Sequence, residues 1–332
     1  MKQDPAKSLR SWLIFAAKVA IFGIVAYFIW QAIVEAKRQI DQEGFSLTRV
    51  NPWWLAVAGL AFMAAQLPMI WFWHRTMWHL GQRPTFWETL RAYYIGSLGK
   101  YVPGKAMVVV LRTGLVRSER TDTTVAALCV FIETLTMMAV GGFLGGVLVL
   151  VSGAAPLGSG SLIYPLAVGL MLATGVPTIP PVFRFVVKML RVSKANADVD
   201  ELLKRLDYKL MAQGWLANCL AWPVMGLSLW CALKAMPGTE EALGNPLSQL
   251  PLLTAAISLA VVAGFASMIP GGVGVRELVL NVLMTPTFGK LAIVSIILLR
   301  LAWLFAELAF SGTLYLCGRL FRSGGFQPPP NS

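Results

Sequence analysis

Two short stretches break the backbone of an apolar chain and carry charges at the break. The first is Gly99-Lys100-Tyr101-Val102-Pro103-Gly104-Lys105, followed by Arg112; the second is Ile269-Pro270-Gly271-Gly272-Val273-Gly274-Val275-Arg276. At Pro103-Gly104 and Gly271-Gly272-Val273-Gly274 the chain can turn tightly and leave amides unpaired at the start of the following helix. Such amides and the helix dipole favour an anion. A phosphate or phosphodiester fits these donors, because Arg112 and Arg276 can grip it bidentately while Lys100 and Lys105 act as point charges. The competing reading is a structural Pro-Gly turn whose lysines reach lipid headgroups.

Glu133, Arg300 and Glu307 form a second candidate set, an intramembrane charge network. An unpaired charge at membrane depth costs about 2.5–3.5 kcal/mol even on the lenient insertion scale, so these three should pair. Arg300 and Glu307 stand two turns apart on one helix, too far for direct contact, so Arg300 is expected to reach Glu133 or Glu277. A static pair and a carboxylate gate both remain open for them. No nucleophile–base set, Walker loop or zinc spacing is present. Cys129, Cys219, Cys231 and Cys317 fall singly, and His74 and His79 lack one-face metal geometry. No catalytic residue, metal or cofactor is therefore expected, and a transporter is favoured over an enzyme.

The elements that must position these residues follow from composition. Of 332 residues, 57% are hydrophobic and 13% charged, with mean hydropathy +0.66. Soluble domains average about 45–50% apolar and about 25% charged. A globular cytosolic enzyme of ordinary type, a disordered tail and a secreted disulfide scaffold are thereby excluded. The net charge of +12 lies between apolar runs, which points to a lipid surface rather than nucleic acid. Apolar segments near the roughly 20 residues a bilayer requires are Ser11–Val34, Pro52–Trp73, Thr124–Val151, Ser161–Phe183, Met211–Met236, Gln249–Met268 and Lys290–Arg319. Segments 74–123 and 184–210 hold eight and seven basic residues, whereas 152–160 and 237–249 hold none, which places the N-terminus in the cytoplasm. Val199, Leu202, Leu203, Leu206 and Leu210 recur opposite Lys204, Arg205 and Lys209, the pattern of a helix lying in the interface. Gly141/Gly145 and Gly142/Gly146 predict close helix packing, and Pro68 and Pro223 predict kinks.

A shift of 167 residues superposes the two breaks, Pro84 on Pro251, and Glu133 on Arg300. The expected fold is an all-α polytopic helical membrane protein of about 6–8 spans in one domain over residues 1–320. It has two inverted repeats, about 11–151 and 161–319, each with a re-entrant broken hairpin, and residues 321–332 are a disordered tail. A full crossing at 249–268 is the alternative to the second hairpin. Irregular backbone at membrane depth must be buried in protein or line a wet cavity, so a midplane cavity is expected between the hairpins.

The stretches Gly-Ser-Leu-Gly-Lys-Tyr-Val-Pro-Gly-Lys at 96–105 and Ile-Pro-Gly-Gly-Val-Gly-Val-Arg-Glu at 269–277 resemble signatures of the lysylphosphatidylglycerol synthase transmembrane, or flippase-like, family. The resemblance covers about residues 10–320. It implies that Pro103, Gly104, Pro270, Gly271, Gly272, Gly274, Arg276 and Glu277 belong to the site. It also implies a link to moving aminoacylated phospholipid between leaflets, or to hopanoid or isoprenoid lipids. Bifunctional members carry a soluble aminoacyl-transfer domain, which is not expected in these 332 residues. The resulting expectation is a translocase in the bacterial cytoplasmic (inner) membrane that takes a lipid with an anionic phosphate headgroup. Its rivals are a membrane-embedded enzyme with Glu133, Glu277 or Glu307 as general base, and an accessory subunit in phospholipid, hopanoid or polyprenyl-lipid metabolism. The expected partners are the bilayer and an anionic or phosphate-bearing lipid. A separately encoded lipid-modifying enzyme and a homodimer stay open, and nucleic acid is not a partner.

Overall fold

The computed structural model describes residues 47–101, 106–152, 163–189, 198–239, 243–267, 272, 274–289 and 291–323, with isolated helical positions between 27 and 38. The described residues form eleven helices and no strands: α1 (Pro52–His79), α2 (Phe86–Ser97), α3 (Ala106–Val116), α4 (Thr123–Ser152), α5 (Ile163–Gly175), α6 (Pro180–Met189), α7 (Asp198–Lys204), α8 (Tyr208–Lys234), α9 (Pro246–Ala266), α10 (Val275–Phe288) and α11 (Leu291–Ser323). Five of them, α1, α4, α8, α9 and the 291–318 part of α11, are long and apolar enough to cross a membrane. The protein is a helical polytopic membrane protein.

The expected first span, Ser11–Val34, lies outside the described residues apart from isolated helical positions. The segment expected to span at Ser161–Phe183 is instead broken: α5 stops at Gly175, a 3-10 turn covers Val176–Thr178, and α6 starts at Pro180. Pro177, Pro180 and Pro181 explain the break, since each lacks a donor for the preceding turn. Nor does one interface helix carry the stripe from Val199 to Leu210. α7 ends at Lys204, Leu206 lies beyond it, and Asp207 caps α8 through Leu210 N–H at 2.8 Å. α1 and α8 run on through Pro68 and Pro223. α11 continues through Ser323, into the segment expected as tail, and 324–332 lie outside the described residues.

Lipid supplies no hydrophobic drive between helices, so packing and interhelical hydrogen bonds must hold them. α1 lies antiparallel to α8. At one end Asn51 N–H donates to the Ala235 carbonyl at 2.8 Å, and at the other His79 Nε2 sits 2.8 Å from the Arg205 carbonyl. Ser228 Oγ donates to the Ala58 carbonyl at 2.7 Å and accepts from Trp303 Nε1 at 2.9 Å, tying α1, α8 and α11 in the core. A Cβ on Gly59 would lie 3.1 Å from the Ala302 carbonyl oxygen, so α1 and α11 touch backbone to backbone there. The expected small-residue packing of α4 is present: Gly141 faces Trp222, Gly142 faces Thr174, and Gly145 faces Leu259.

α2 and α3 form a hairpin closed at its base. The Arg83 N–H donates to the Arg120 carbonyl at 3.1 Å, and Asp122 N–H donates to Gln82 Oε1 at 2.6 Å. Thr85 and Glu88 make a capping box that starts α2. With 12 and 11 residues, the arms reach only about 18 and about 16 Å at 1.5 Å per residue, so neither crosses a bilayer alone. α9 and α10 also pair, from the opposite end of the bundle, but α9, with 21 residues, is long enough to cross. Along α11, Ala302 meets Gly59 near the start of α1, and Gly318 meets Arg91 near the start of α2. The α10–α11 junction therefore lies at the end where α1 begins and α8 stops, away from the base of the first hairpin. Pro251 does not start the entering arm, as Pro84 nearly does; it lies inside α9, which begins at Pro246.

Candidate functional site: an intramembrane charge cluster

Inside the first hairpin, the second arm carries Arg112 towards the long helix α4. Its Nη1 donates to Glu133 Oε2 at 3.0 Å and its Nη2 to Ser97 Oγ at 3.1 Å. Tyr93 OH donates to Glu133 Oε1 at 3.1 Å, and the guanidinium carbon lies 3.6 Å from the Tyr93 ring centroid. Arg112 is 6% exposed and Glu133 2%. A pair this buried needs further hydrogen bonds; Tyr93 and Ser97 supply two, while Arg112 Nε stays buried without a partner. Gly96 makes the room: a Cβ there would lie 2.9 Å from the Arg112 amide nitrogen.

In the second hairpin the sequence order Arg276-Glu277 opens α10. Glu277 turns back on its own helix, accepting from Gly274 N–H at 2.6 Å, and also pairs with Arg300 on α11. Gly272 and Gly274 have φ of +65° and +83°, in the left-handed region where a side chain is strained. Arg276 takes no part in these pairs. Its Nε is buried without a hydrogen-bond partner, and among the described residues it has no ion-pair partner. Two glycines accommodate its side chain: a Cβ on Gly264 would lie 2.6 Å from Arg276 Cγ, and one on Gly272 would lie 2.9 Å from Nε.

Glu307 of α11 binds the end of the first hairpin. Lys100, at the tip of the first hairpin, pairs with Glu307 Oε1, and Tyr101 OH donates to Oε2 at 2.8 Å. Arg276 lies within electrostatic reach of Tyr101 and Glu307, and Arg300 within reach of Arg276. Among the described residues the cluster thus holds three cations, Lys100, Arg276 and Arg300, and two carboxylates, Glu277 and Glu307, a net charge of +1 (3 − 2). The Arg112–Glu133 pair is neutral by the same count.

These positions decide between the two expected partners of Arg300: it holds Glu277, while Glu133 holds Arg112. Arg112, expected on the ligand, is buried in its ion pair; Lys100 is bound to Glu307, and Glu277 caps α10. The amide of Gly274, expected to be free for an anion, is taken by that Glu277 carboxylate. Gly272, Gly274 and Arg276 are gathered at the second break, while Pro103, Gly104, Lys105, Pro270 and Gly271 lie outside the described residues. Tyr101, Tyr93, Ser97 and Gly264 escaped the sequence reading. Tyr101 stood inside the first break, and Gly96 and Gly264 are 168 residues apart, almost the repeat shift, so both signals were present. Among the described residues no three metal-ligating side chains cluster. A cavity of about 480 Å³ opens elsewhere, where α1 begins and α8 stops; it is lined by Arg49, Trp54, Trp230 and Lys234, and the cluster does not border it.

Residues 15–310 match the family model of the lysylphosphatidylglycerol synthase TM region. The chain belongs to that family. Comparison with curated proteins gives no match. The match to the lysylphosphatidylglycerol synthase TM region spans both hairpins and all five long helices up to residue 310, so Glu133, Arg276, Arg300 and Glu307 lie within it. Membership makes this an integral membrane protein related to lipid metabolism or flipping.

Proposed function

We propose that the chain is a lipid translocase that takes an anionic phosphate headgroup at the meeting point of its two hairpin tips. The observation that carries this reading is Arg276, a half-buried guanidinium without a carboxylate partner among the described residues, in a cluster of net charge +1. Excess positive charge at membrane depth is costly, and an anion from the bilayer offsets it. A guanidinium offers a phosphate two parallel donors. Opposed hairpins support alternating access, because each approaches the cluster from a different end of the bundle. On this reading both hairpins are re-entrant and the arginine-rich end carrying Arg83, Arg120 and Arg205 is cytoplasmic. The membrane is then the bacterial cytoplasmic membrane, with the N-terminus inside. Each carboxylate a membrane enzyme would use as a base is engaged by a cation, which favours binding and movement over chemistry.

Two measurements test this. Lipids that co-purify with the protein should be enriched in phosphate-bearing anionic species, and the enrichment should fall in Arg276→Lys and further in Arg276→Ala, since Lys keeps the charge but loses the bidentate grip. Vesicles reconstituted with the protein should move labelled phosphatidylglycerol between leaflets faster than vesicles carrying Arg276→Ala. Equal lipid content and equal rates across the variants would overturn the proposal.

A further inference from the structure

We infer that Glu307 is an internal stand-in for the substrate's phosphate: its carboxylate occupies the anion seat, and a headgroup must displace it to bind. This rests on reading the hairpin tips as a phosphate site. The donors around Glu307 are those a phosphate oxygen would want. Lys100 Nζ meets one carboxylate oxygen and Tyr101 OH the other at 2.8 Å, while the Arg276 guanidinium lies within electrostatic reach. Lys100 and Tyr101 come from the first hairpin, Arg276 from the second and Glu307 from α11, which belongs to neither. The carboxylate can therefore leave by turning its own side chain while the donors stay in place. Lys100 is held by more than this pair, since its ammonium also lies 5.4 Å from the Phe62 ring centroid and 5.2 Å from that of Tyr101.

Exposure gives the direction of approach. The Glu307 side chain is 2% exposed, whereas that of Lys100 is 33% exposed, so an incoming anion meets Lys100 first and the carboxylate last. Arg276 is what the stand-in leaves unsatisfied, its Nε buried without a partner. A carboxylate already engaged by two donors serves it poorly, and a tetrahedral anion with more acceptor oxygens can serve all three.

A purely structural Glu307 and a displaceable one predict opposite effects of removing its charge. Full-length protein is placed in phosphatidylcholine nanodiscs with increasing phosphatidylglycerol, and a parallel series is titrated with inorganic phosphate. Glu307→Gln keeps the shape and an acceptor for Tyr101 but drops the charge. It should bind phosphatidylglycerol about tenfold more tightly than the unaltered protein, the scale of one charge-assisted hydrogen bond. In Arg276→Ala/Glu307→Gln that gain should shrink or vanish. A gain towards lipid and inorganic phosphate alike assigns recognition to the phosphate, and a gain towards lipid alone assigns it to the whole headgroup. Unchanged or weaker binding in Glu307→Gln, with Arg276→Ala still weakening binding, overturns the stand-in and leaves the phosphate site standing. If Arg276→Ala has no effect, the phosphate site fails and the stand-in with it.

Discussion

The two hairpins solve one problem with exchanged signs. In each, a charge near the start of the long helix that follows is met by a charge on the hairpin's second arm: Arg112 with Glu133 in the first half, Glu277 with Arg300 in the second. The first pair is sealed, with exposures of 7% and 2% for its side chains, and is closed by Tyr93 and Ser97. The second is more open, at 35% and 22%, and has Arg276 beside it as an additional cation. The two hairpins thus differ: one holds a sealed neutral pair, and the other a more open pair with a further cation near it. Burial decides which role each can play, because a sealed pair cannot exchange partners without leaving a bare charge in a dry environment.

The strongest way to break the comparison is to remove one member of each pair. Glu133→Gln should cost about 3–5 kcal/mol, because it strands the Arg112 guanidinium in the core. Replacing both residues by apolar ones, Arg112→Met with Glu133→Leu, should recover most of that loss. Arg300→Gln in the more open pair should cost less, because Glu277 keeps its hydrogen bond from Gly274 N–H. Thermal unfolding in detergent ranks the three, and equal shifts for Glu133→Gln and Arg300→Gln would erase the distinction.

A middle-sized effect comes from the glycines that make room for the arginines. Gly272→Ala forces a side chain into the left-handed region at a cost of about 1–2 kcal/mol and pushes a Cβ to 2.9 Å from Arg276 Nε. It should weaken phosphatidylglycerol binding as well as stability. Gly96→Ala presses on Arg112 instead and should lower the melting temperature while leaving lipid affinity unchanged. Binding and melting data for both variants check whether the halves differ in role.

The smallest expected effect separates the two tyrosines. Tyr93→Phe and Tyr101→Phe each remove one hydroxyl from a carboxylate, at 3.1 and 2.8 Å, and should cost about 0.5–1.5 kcal/mol. Only Tyr101→Phe should also alter lipid binding, because only Tyr101 touches Glu307.

Long helices and charged breaks were readable because hydropathy and Gly-Pro punctuation act locally. Pro52 was a visible helix start, whereas α9 starts at Pro246, ahead of the expected Gln249, and the break at Gly272 and Gly274 needed glycine for its backbone. Partner choice was not readable. Arg112 stands beside a break in sequence, yet the return of α4 past α2 and α3 brings Glu133 to it and takes it away from any ligand. The repeat shift set Glu133 against Arg300, but a match in sequence does not make two residues touch, and each pairs within its own half. The span expected at 161–183 is divided into α5, a 3-10 turn and α6 by three prolines, which hydropathy alone did not reveal.

The most direct measurement is a phosphatidylglycerol titration of Arg276→Gln beside Arg112→Met/Glu133→Leu, in nanodiscs of one composition. The expected result is at least about tenfold weaker binding for Arg276→Gln, from the loss of a charge-assisted contact, and unchanged binding for the double variant, whose neutral pair takes no part in the seat. Unaltered affinity in Arg276→Gln, or an equal loss in the double variant, would contradict the assignment of the anion to the second hairpin.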